Sequence, residues 1–223
     1  MTAYPLDLER PGLLRDGRSI LIRPASPDDA DVVLGFNGRL SRRTIAIRSL
    51  GPIITMDRDA AVRLVTNDYH DRLVLLATLD DHVIGVADYV RNETAADRAD
   101  IAFTVEDAYQ GMGLGGLLLE HLAAAARERG IEVFEADVVS ENLPMIRTFQ
   151  SSGYRVEFDQ EGGITHLELT VDPRRQVLVR SERRASTAIA SSLHPVFAPR
   201  SVAVVGAGRS ARSVGGAVLR NIL

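Results

Sequence analysis

The stretch that decides the fold is residues 99–116, ADIAFTVEDAYQGMGLGG. Residues 99–105 include β-branched and aromatic side chains and contain no Gly or Pro, which predicts a β-strand. An acidic turn follows. The glycine-rich segment 110–116 then leads into an apolar, alanine-rich run, 117–129, that has helical spacing. The sequence therefore predicts a strand, a glycine loop and a helix in that order.

This order of elements suits the binding of phosphate. The first N–H groups of a helix have no partner inside the helix, and the helix dipole adds partial positive charge at that end. Glycines lack the Cβ atoms that would keep an anion away from those N–H groups. The loop therefore predicts a ligand that carries a diphosphate.

The identity of that ligand is open at this point, because the loop also matches a second pattern. Gly111-x-Gly113-x-x-Gly116 fits the dinucleotide fingerprint, and Glu135 lies near the spacing of a ribose-binding acid. That fingerprint should follow the first strand of a βαβ unit, whereas strand and helix patterns precede it here. The absence of Gly-Lys-Ser/Thr excludes a Walker loop. A nicotinamide-binding protein stays an alternative.

A second motif lies one predicted strand further on. It reads N-x-x-M-x-x-x-F-x-x-x-G-Y and runs from Asn142 to Tyr154. Together with the pattern Q-x-x-G-x-G that begins at Gln110, it resembles the acetyl-CoA-binding core of the GNAT superfamily of N-acetyltransferases. The resemblance covers about residues 18–171, a usual size for one domain.

The resemblance implies the fold and the co-substrate. The implied fold class is α+β (mixed α/β), the GNAT acyl-CoA N-acyltransferase fold, with a central mixed sheet of about six to seven strands and about four helices. The implied co-substrate is acetyl-CoA, with its diphosphate on the loop and its pantetheine arm along the preceding strand. The residues expected to bind it are Phe103, Thr104, Val105, Gln110, Gly111, Met112, Gly113, Leu114, Gly115, Gly116, Asn142, Met145 and Phe149.

Composition limits the class of protein. The 223 residues are 45% hydrophobic and 25% charged, which is ordinary for a soluble globular chain. A net charge of −4 gives no reason to expect a nucleic-acid partner. Without cysteine there is no disulfide, thiolate metal site or catalytic thiol, and the five histidines show no metal-ligand spacing, so we expect no metal. No signal peptide or long apolar run is present, so we expect a cytoplasmic protein that does not bind membranes.

The rest of the first 172 residues predicts further elements in an order that agrees with the resemblance. Ser26 and Pro27 mark a helix start by their capping positions. The strand 131–139 is apolar and should lie parallel to 99–105. The full prediction is a loose lead-in (1–17), a strand (19–23), a helix to about Gly38, an irregular basic segment (41–55), a helix (57–67), a hairpin (73–78 and 83–91), a helix (143–151) and two closing strands (154–159 and 164–171).

The C-terminal part differs in character. Residues 173–200 are rich in Arg, Ser and Ala and are interpreted as a linker. The stretch APRSVAVVGAG…SVGGAVLRNIL then resembles the opening of the CoA-binding domain of NDP-forming acyl-CoA synthetases, so 201–223 is interpreted as the truncated start of a Rossmann-like domain. A GNAT domain, here 1–172, joined to such a domain is the layout of Pat-type bacterial protein lysine acetyltransferases. The layout suggests a fragment of a larger chain; a free-standing enzyme with a C-terminal extension is the alternative.

That resemblance also implies the acceptor. Pat-type enzymes modify AMP-forming acyl-CoA synthetases, so the implied partner is such a synthetase and the implied acceptor is a protein lysine. A small-molecule amine N-acetyltransferase would share every donor motif, and a non-catalytic acyl-CoA sensor is a further alternative. The acceptor lysine, the acyl-chain limit and the oligomeric state are not determined by the sequence.

The transfer of acetyl to a lysine needs a base. A lysine with pKa ~10.4 is only about one part in a thousand neutral near pH 7.4, and general-base catalysis typically contributes about 10²–10⁴ in rate. Asp100 shares a strand face with Ala102 and Thr104, and the resemblance places a catalytic glutamate at this position. The shorter aspartate leaves room for an intervening water; an ion pair with Arg98 or plain solvation is the alternative. Glu106 is the second candidate.

Two positions depart from the family pattern. Phe149 stands where many GNAT enzymes have the tyrosine that protonates the thiolate, so no general acid is assigned. Met112 stands where Pat-like loops often have arginine, which leaves more of the phosphate binding to the backbone. Asn142 is expected to bind the pantetheine arm, to cap the following helix, or both.

Overall fold

The computed structural model describes residues 3–50, 56–172, 175–197, 201, 203–204 and 214–222. An eight-stranded sheet forms the centre of the fold, in the order β1-β2-β3-β4-β5-β6-β8-β7. The strands are β1 (Arg10–Leu13), β2 (Ser19–Pro24), β3 (Arg72–Leu79), β4 (His82–Arg91), β5 (Arg98–Val105), β6 (Val133–Val139), β7 (Arg155–Glu161) and β8 (Ile164–Thr170). The helices are α1 (Ala30–Arg39), α2 (Arg42–Arg48), α3 (Arg58–Val65), α4 (Leu114–Glu128), α5 (Leu143–Gln150), α6 (Arg175–Phe197) and α7 (Val214–Ile222).

The sheet opens between its two parallel strands. β5 pairs with β4 over seven positions, from Ala99 to Val105. With β6 it pairs over three only, and the last pair is Asp100 with Glu135. The C-terminal part of β5 is therefore paired with β4 alone, and the gap between it and β6 forms a cleft. The prediction of a strand parallel to 99–105 is confirmed.

Two apolar clusters hold the helices on opposite faces of the sheet. α4 packs on one face, where Leu118 and Leu122 are fully buried with Ile101 and Phe103 of β5. α1 and α3 cover the other face with a cluster that includes Phe36. Burial of a leucine side chain contributes about 1.5–3 kcal/mol, so these contacts fix α4 and the loop before it against β5. The alternation along β5 is as predicted, since Ala99, Ile101 and Phe103 are buried together.

Local signals predicted several element boundaries correctly. Ser26 and Asp29 form a capping box at the start of the helical segment, and Pro27 occupies the first turn of that segment. The hairpin between β3 and β4 turns at Asp80 and Asp81, both with positive φ (48° and 66°). Positive φ at two successive residues is typical of the tight turns that suit the strand twist.

Two segments before β3 differ from the prediction. The basic segment expected to be irregular contains a helix, α2, and only 51–55 of it lies outside the described residues. Tertiary contacts explain the helix, because Asp107 accepts hydrogen bonds from the backbone N and the Oγ of Ser41 (2.9 and 2.7 Å) and from Thr44 Oγ1 (2.8 Å). The expected loose lead-in contains β1, which adds an edge strand and brings the sheet to eight strands.

The C-terminal segment also contains more helix than its composition indicates. The predicted linker includes α6, with Ala188 buried and the backbone of Ser192 against Gly17. Ser201 and 203–204 have no regular secondary structure, and the predicted glycine loop at Gly206 and Gly208 lies outside the described residues. The division into domains stays a prediction. None of the helices in the described part of the chain is both long enough and apolar enough to span a membrane.

Candidate active site

The gap between β5 and β6 widens into a cleft of about 870 Å³. Its walls are the last residues of β5, the middle of β6, the glycine loop with the start of α4, and side chains from α2 and α5. Of the residues expected to bind the co-substrate, the following line it: Phe103, Thr104, Val105, Gln110, Gly111, Gly113, Leu114, Gly115, Gly116, Asn142, Met145 and Phe149. The fold therefore brings both motifs to one site.

The glycine loop presents backbone donors to this cleft. Gly111 and Gly113 have φ of 75° and 87°, a region that residues with a Cβ rarely adopt. α4 begins at Leu114, directly after Gly113, so the N–H groups of its first turn have no partner within the helix. The dipole of this 15-residue helix adds partial positive charge at the same place. The site is suited to an anion.

Two arginines that the sequence analysis did not identify lie beside the loop. Arg15, from the β1–β2 turn, donates from its backbone to Met112 O (3.0 Å) and from its guanidinium to Gly111 O (3.2 Å). Arg184 of α6 lies about 4.0 Å from the position that a Cβ of Gly116 would occupy, and it forms an ion pair with Glu120. Burial lowers the pKa of Arg184, and the charge of Arg15 lowers it further. Both arginines line the cleft, so an anion there would relieve their repulsion.

Met112 is the one residue of the expected binding set that does not line the cleft. Its sulfur accepts a hydrogen bond from Arg18 (3.1 Å), and its side chain packs against the α4 side of the core. The Met112 side chain therefore does not contact the cleft, and the expected contribution of this residue through its backbone stays a prediction. A left-handed glycine on each side of Met112 directs the backbone toward the cleft and the side chain away from it.

Gln110 links the loop to the end of β5 and to α2. Its side-chain amide donates to Val105 O (3.1 Å) and to Thr44 Oγ1 (3.3 Å). With the contacts of Asp107 to α2, these bonds fix the position of α2 over the cleft. Gln110 therefore holds the shape of the site in addition to lining it.

The second motif forms α5 and the adjoining core. The Asn142 side chain accepts from the Met145 N–H (3.4 Å) and caps α5, which is one of its two expected roles. Phe149 is only 1% exposed and packs edge-on against Phe103, with ring centroids 6.0 Å apart. Gly115 approaches Thr148 of α5, since a Cβ there would lie 3.6 Å from its methyl carbon. Phe149 supports the wall of the cleft mainly by packing.

Asp100 is exposed and lines the cleft at the last β5–β6 pair. Partial burial raises the pKa of its carboxyl, and the negative charges of Glu135 and Asp137 raise it further, while His166 opposes them. The raised pKa brings this group nearer to the range in which a carboxylate accepts protons at neutral pH.

Asp100 has no ion pair with Arg98. The Arg98 guanidinium instead binds Glu135 and Glu168, the latter at 2.9 Å. The ion pair with Arg98 is therefore excluded as the alternative for Asp100, whereas plain solvation agrees with its exposure. The ion pair with Arg98 also occupies Glu135, the acid that the dinucleotide pattern would use to bind a ribose.

Glu106 is not among the residues that line the cleft. Its carboxylate forms an ion pair with Arg39 (3.1 Å) and is largely buried. Arg39 also donates to Val83 O (2.7 Å), so the pair connects α1, β4 and the end of β5. The structure gives Glu106 a bridging contact at the end of β5, and Asp100 is the candidate base that faces the cleft.

A metal centre is not found in the described part of the chain, where no three His, Asp or Glu residues are grouped to hold an ion. His166 forms an ion pair with Asp137 (2.7 Å). The hydrogen bond to Asp137 raises the pKa of His166, and the acids on β6 and β8 add to the effect.

The opened sheet, the glycine loop and the carboxylate along β5 meet at one site, as the resemblance to N-acetyltransferases predicts. Residues 48–154 match the acetyltransferase (GNAT) family. The chain is 35% identical to the GNAT domain of S. lividans PAT, and the structural match covers 75% of this chain and 99% of that chain with a TM-score of 0.71. The chain belongs to the GNAT family and is a GNAT-type acetyltransferase.

Two further similarities concern a whole protein and a ligand. Acetyltransferase Pat of Mycolicibacterium smegmatis is 30% identical over 165 residues, 73% of this chain, and the chain spans 49% of the length of Pat. The structure of yncA from Salmonella typhimurium, solved with acetyl-CoA, shares the fold at 23% identity, covering 70% of this chain and 96% of that chain, with a TM-score of 0.55. The GNAT family uses acetyl-CoA, so the dinucleotide alternative for the loop is dropped.

Proposed function

We propose that the chain is an acetyl-CoA-dependent protein lysine N-acetyltransferase that transfers acetyl directly to its acceptor, with AMP-forming acyl-CoA synthetases as the acceptors. The observation that carries the proposal is that one cleft contains the glycine loop, the open edge of β5 and the carboxylate of Asp100. The similarity to Pat and to the S. lividans PAT domain supports the protein acceptor. The sequence features that predict a cytoplasmic protein are consistent with it.

The donor is held by backbone and by charge in this proposal. The N–H groups at the start of α4 bind the diphosphate, and Arg15 and Arg184 add positive charge on two sides of the loop. The part of β5 beyond Asp100, which has no partner on β6, offers its backbone to the pantetheine arm. The thioester carbonyl then lies near Val105, where a backbone N–H polarises it.

Asp100 supplies the base. It removes a proton from the acceptor ammonium through one water, because the aspartate side chain is short and the position is open to solvent. The neutral amine attacks the thioester carbonyl, the C–N bond forms, and the C–S bond breaks to release the thiolate, while the second nitrogen proton passes to water. Phe149 offers no proton for that step. A thiol pKa near 8.5 allows the thiolate to leave without a general acid.

The acceptor can be tested with a purified AMP-forming acyl-CoA synthetase. The chain and isotope-labelled acetyl-CoA are incubated with the synthetase, and acetylated lysines are mapped by mass spectrometry. We expect label on one or a few lysines, and none with the Asp100→Asn variant. Asp159→Asn, an exposed acid of β7, is the matched control and should act like the unaltered chain. Label at many lysines at equal rates with both variants would be non-enzymatic acetylation and would contradict the proposal.

A small-molecule amine acceptor is the second candidate, and one observation favours it. A separate cavity of about 480 Å³ lies between the helices α1, α2 and α3 and strand β4, next to the cleft. A pocket of that size would hold a small amine. Acetylation of polyamines or aminoglycosides, together with no transfer of label to the synthetase, would support this second candidate.

A further inference from the structure

The cavity beside the cleft has mainly apolar walls from α1, α2, α3 and β4, with Arg72 of β3 and Thr104 of β5 added to them. α1 and α3 provide most of the wall, α2 provides one side and β4 the floor. The apolar lining consists of Val33, Phe36, Leu40, Ile45, Met56, Ala60, Leu64 and Val86. A small aliphatic group would be desolvated there.

Asp88 is the acidic residue of this cavity among the described residues. It lies in the middle of β4, and only 9% of it is exposed. In the described part of the chain, no group donates a hydrogen bond to its carboxylate, and the nearest cation, the Arg48 guanidinium, is 3.6 Å away. Burial raises the pKa of Asp88, and the charges of Arg48 and Arg72 oppose that shift. A buried carboxylate without hydrogen bonds is costly unless a ligand completes it.

The position of Asp88 connects the cavity to the donor cleft. Asp88 pairs with Ala102 of β5, and Val86 pairs with Thr104, so these side chains share one face of the sheet. Thr104 and Arg48 line both the cavity and the cleft. Strand spacing puts the Cα of Asp88 about 8 Å from that of Thr104, whereas Asp100 is about 13 Å from it along β5. Asp88 is therefore nearer than Asp100 to Thr104, the residue before the proposed thioester position at Val105.

We propose that this cavity is the acceptor pocket and that Asp88 binds the ammonium group of a primary aliphatic amine on an unbranched apolar stem. This inference rests on the proposed function and adds the residue that recognises the acceptor. The apolar walls take the stem, and the ammonium supplies the hydrogen bonds that Asp88 lacks. The same chemistry is presented by a lysine side chain of a protein and by a free alkylamine.

The arginines near Asp88 are compatible with this role. The Arg48 side chain is 45% exposed, so it can leave Asp88 for solvent when the ammonium arrives. Arg72 lies on the wall, and its buried Nε has no hydrogen-bond partner in the described part of the chain; Arg63 is exposed at the rim. These guanidinium groups favour the ionised form of Asp88, which is the form that accepts hydrogen bonds from an ammonium group.

The test uses the full chain and follows release of the CoA thiol with a thiol-reactive dye, which the chain itself does not consume because it has no cysteine. KM is measured for acetyl-CoA, for n-alkylamines of increasing length and for a lysine peptide from the acetylated synthetase. Asp88→Asn should raise KM for the acceptor about 10- to 100-fold and leave KM for acetyl-CoA within about twofold. Asp81→Asn, in the exposed turn of the same hairpin, is the control and should change neither.

A second variant distinguishes a loss of acceptor binding from a folding defect in Asp88→Asn. Ala60→Leu reduces the cavity from α3 without touching Asp88 and should also raise the acceptor KM, more for long stems than for short ones. An unchanged acceptor KM in Asp88→Asn or in Ala60→Leu, with turnover intact, overturns the inference and leaves the proposed function standing. Absence of turnover on every amine, with the unaltered chain, contradicts the proposed function itself. Effects on the free amines alone assign the pocket to small amines, and effects on the peptide assign it to protein lysine.

Discussion

The donor cleft and the acceptor cavity are built in different ways, although they share Thr104 and Arg48. The cleft takes its binding groups largely from backbone, within one strand–loop–helix segment of 98–128 and the start of α5. The cavity takes its groups from side chains of α1, α2, α3, β3 and β4, and among the described residues Asp88 is its one acid, beside three arginines. A backbone site tolerates most side-chain changes but not the loss of glycine, whereas a side-chain site can be altered by one residue. This difference explains why the sequence predicts the donor loop, whereas the cavity and Asp88 become apparent only in the structure.

The largest expected effect is on chemistry, where the two regions meet. Asp100→Asn should lower kcat by about 100-fold or more, because a general base typically contributes that much, and should leave the affinity for acetyl-CoA unchanged. In the unaltered chain, kcat/KM should rise with pH, and the part of that rise due to Asp100 should lie above the usual carboxyl range because its pKa is raised. Steady-state rates across pH for both forms measure this; equal rates would remove Asp100 from the mechanism.

The next effect tests the backbone character of the donor cleft. Gly113→Val should weaken acetyl-CoA binding about 10- to 100-fold, since the positive φ of 87° is strained for valine and the added carbons press on Arg15 at 3.4 Å. Gly162→Val is the matched control, because Gly162 also has positive φ (58°) but lies in the β7–β8 turn with open space around it. Similar losses of affinity in both variants would mean that general destabilisation, and not the loop, causes the effect.

A smaller effect is expected from charge at the loop. Arg184→Met should weaken acetyl-CoA about tenfold by removing one charge-assisted contact to phosphate, and the weakening should shrink as salt is raised. Arg183→Met, its exposed neighbour on α6, should bind like the unaltered chain. The dissociation constants are compared at low and high salt. If Arg184→Met binds acetyl-CoA normally at low salt, α6 does not contribute to the donor cleft.

The smallest effect concerns the anchor of α2. Partial burial alone would raise the pKa of Asp107. Hydrogen bonds from Ser41 and Thr44 nevertheless hold that pKa below its usual value. A carboxyl with a lowered folded pKa stabilises the fold fully above its unfolded pKa, and that contribution is lost as pH falls through the folded pKa. Asp107→Ala should therefore speed hydrogen exchange in α2 a few-fold near pH 7, with little change in α4. The difference should begin to shrink below about pH 4 and disappear only once the pH falls below the lowered pKa of Asp107; equal exchange at pH 7 would mean that Asp107 does not anchor α2.

The sequence predicted the donor half of the molecule well, because its signals are local. Positive-φ glycines, the Ser26–Asp29 cap and the alternation along β5 each depend on a few neighbouring residues. The residues it missed depend on distant contacts: α2 is fixed by Asp107, and Arg184 reaches the loop from α6. Asp88 lies in an apolar strand that pattern analysis assigns simply to the core. Spacing alone also does not show which way the Met112 side chain turns between two left-handed glycines.

The central claim is that the loop from Gln110 to Gly116 holds the diphosphate of acetyl-CoA. Equilibrium dialysis of the full chain against radiolabelled acetyl-CoA and acetyl-pantetheine, which has the same thioester arm without the diphosphate, tests it most directly. We predict saturable one-to-one binding of acetyl-CoA and at least tenfold weaker binding of acetyl-pantetheine, with the difference reduced in Gly113→Val. Equal binding of the two compounds, or no binding of acetyl-CoA, would contradict the account.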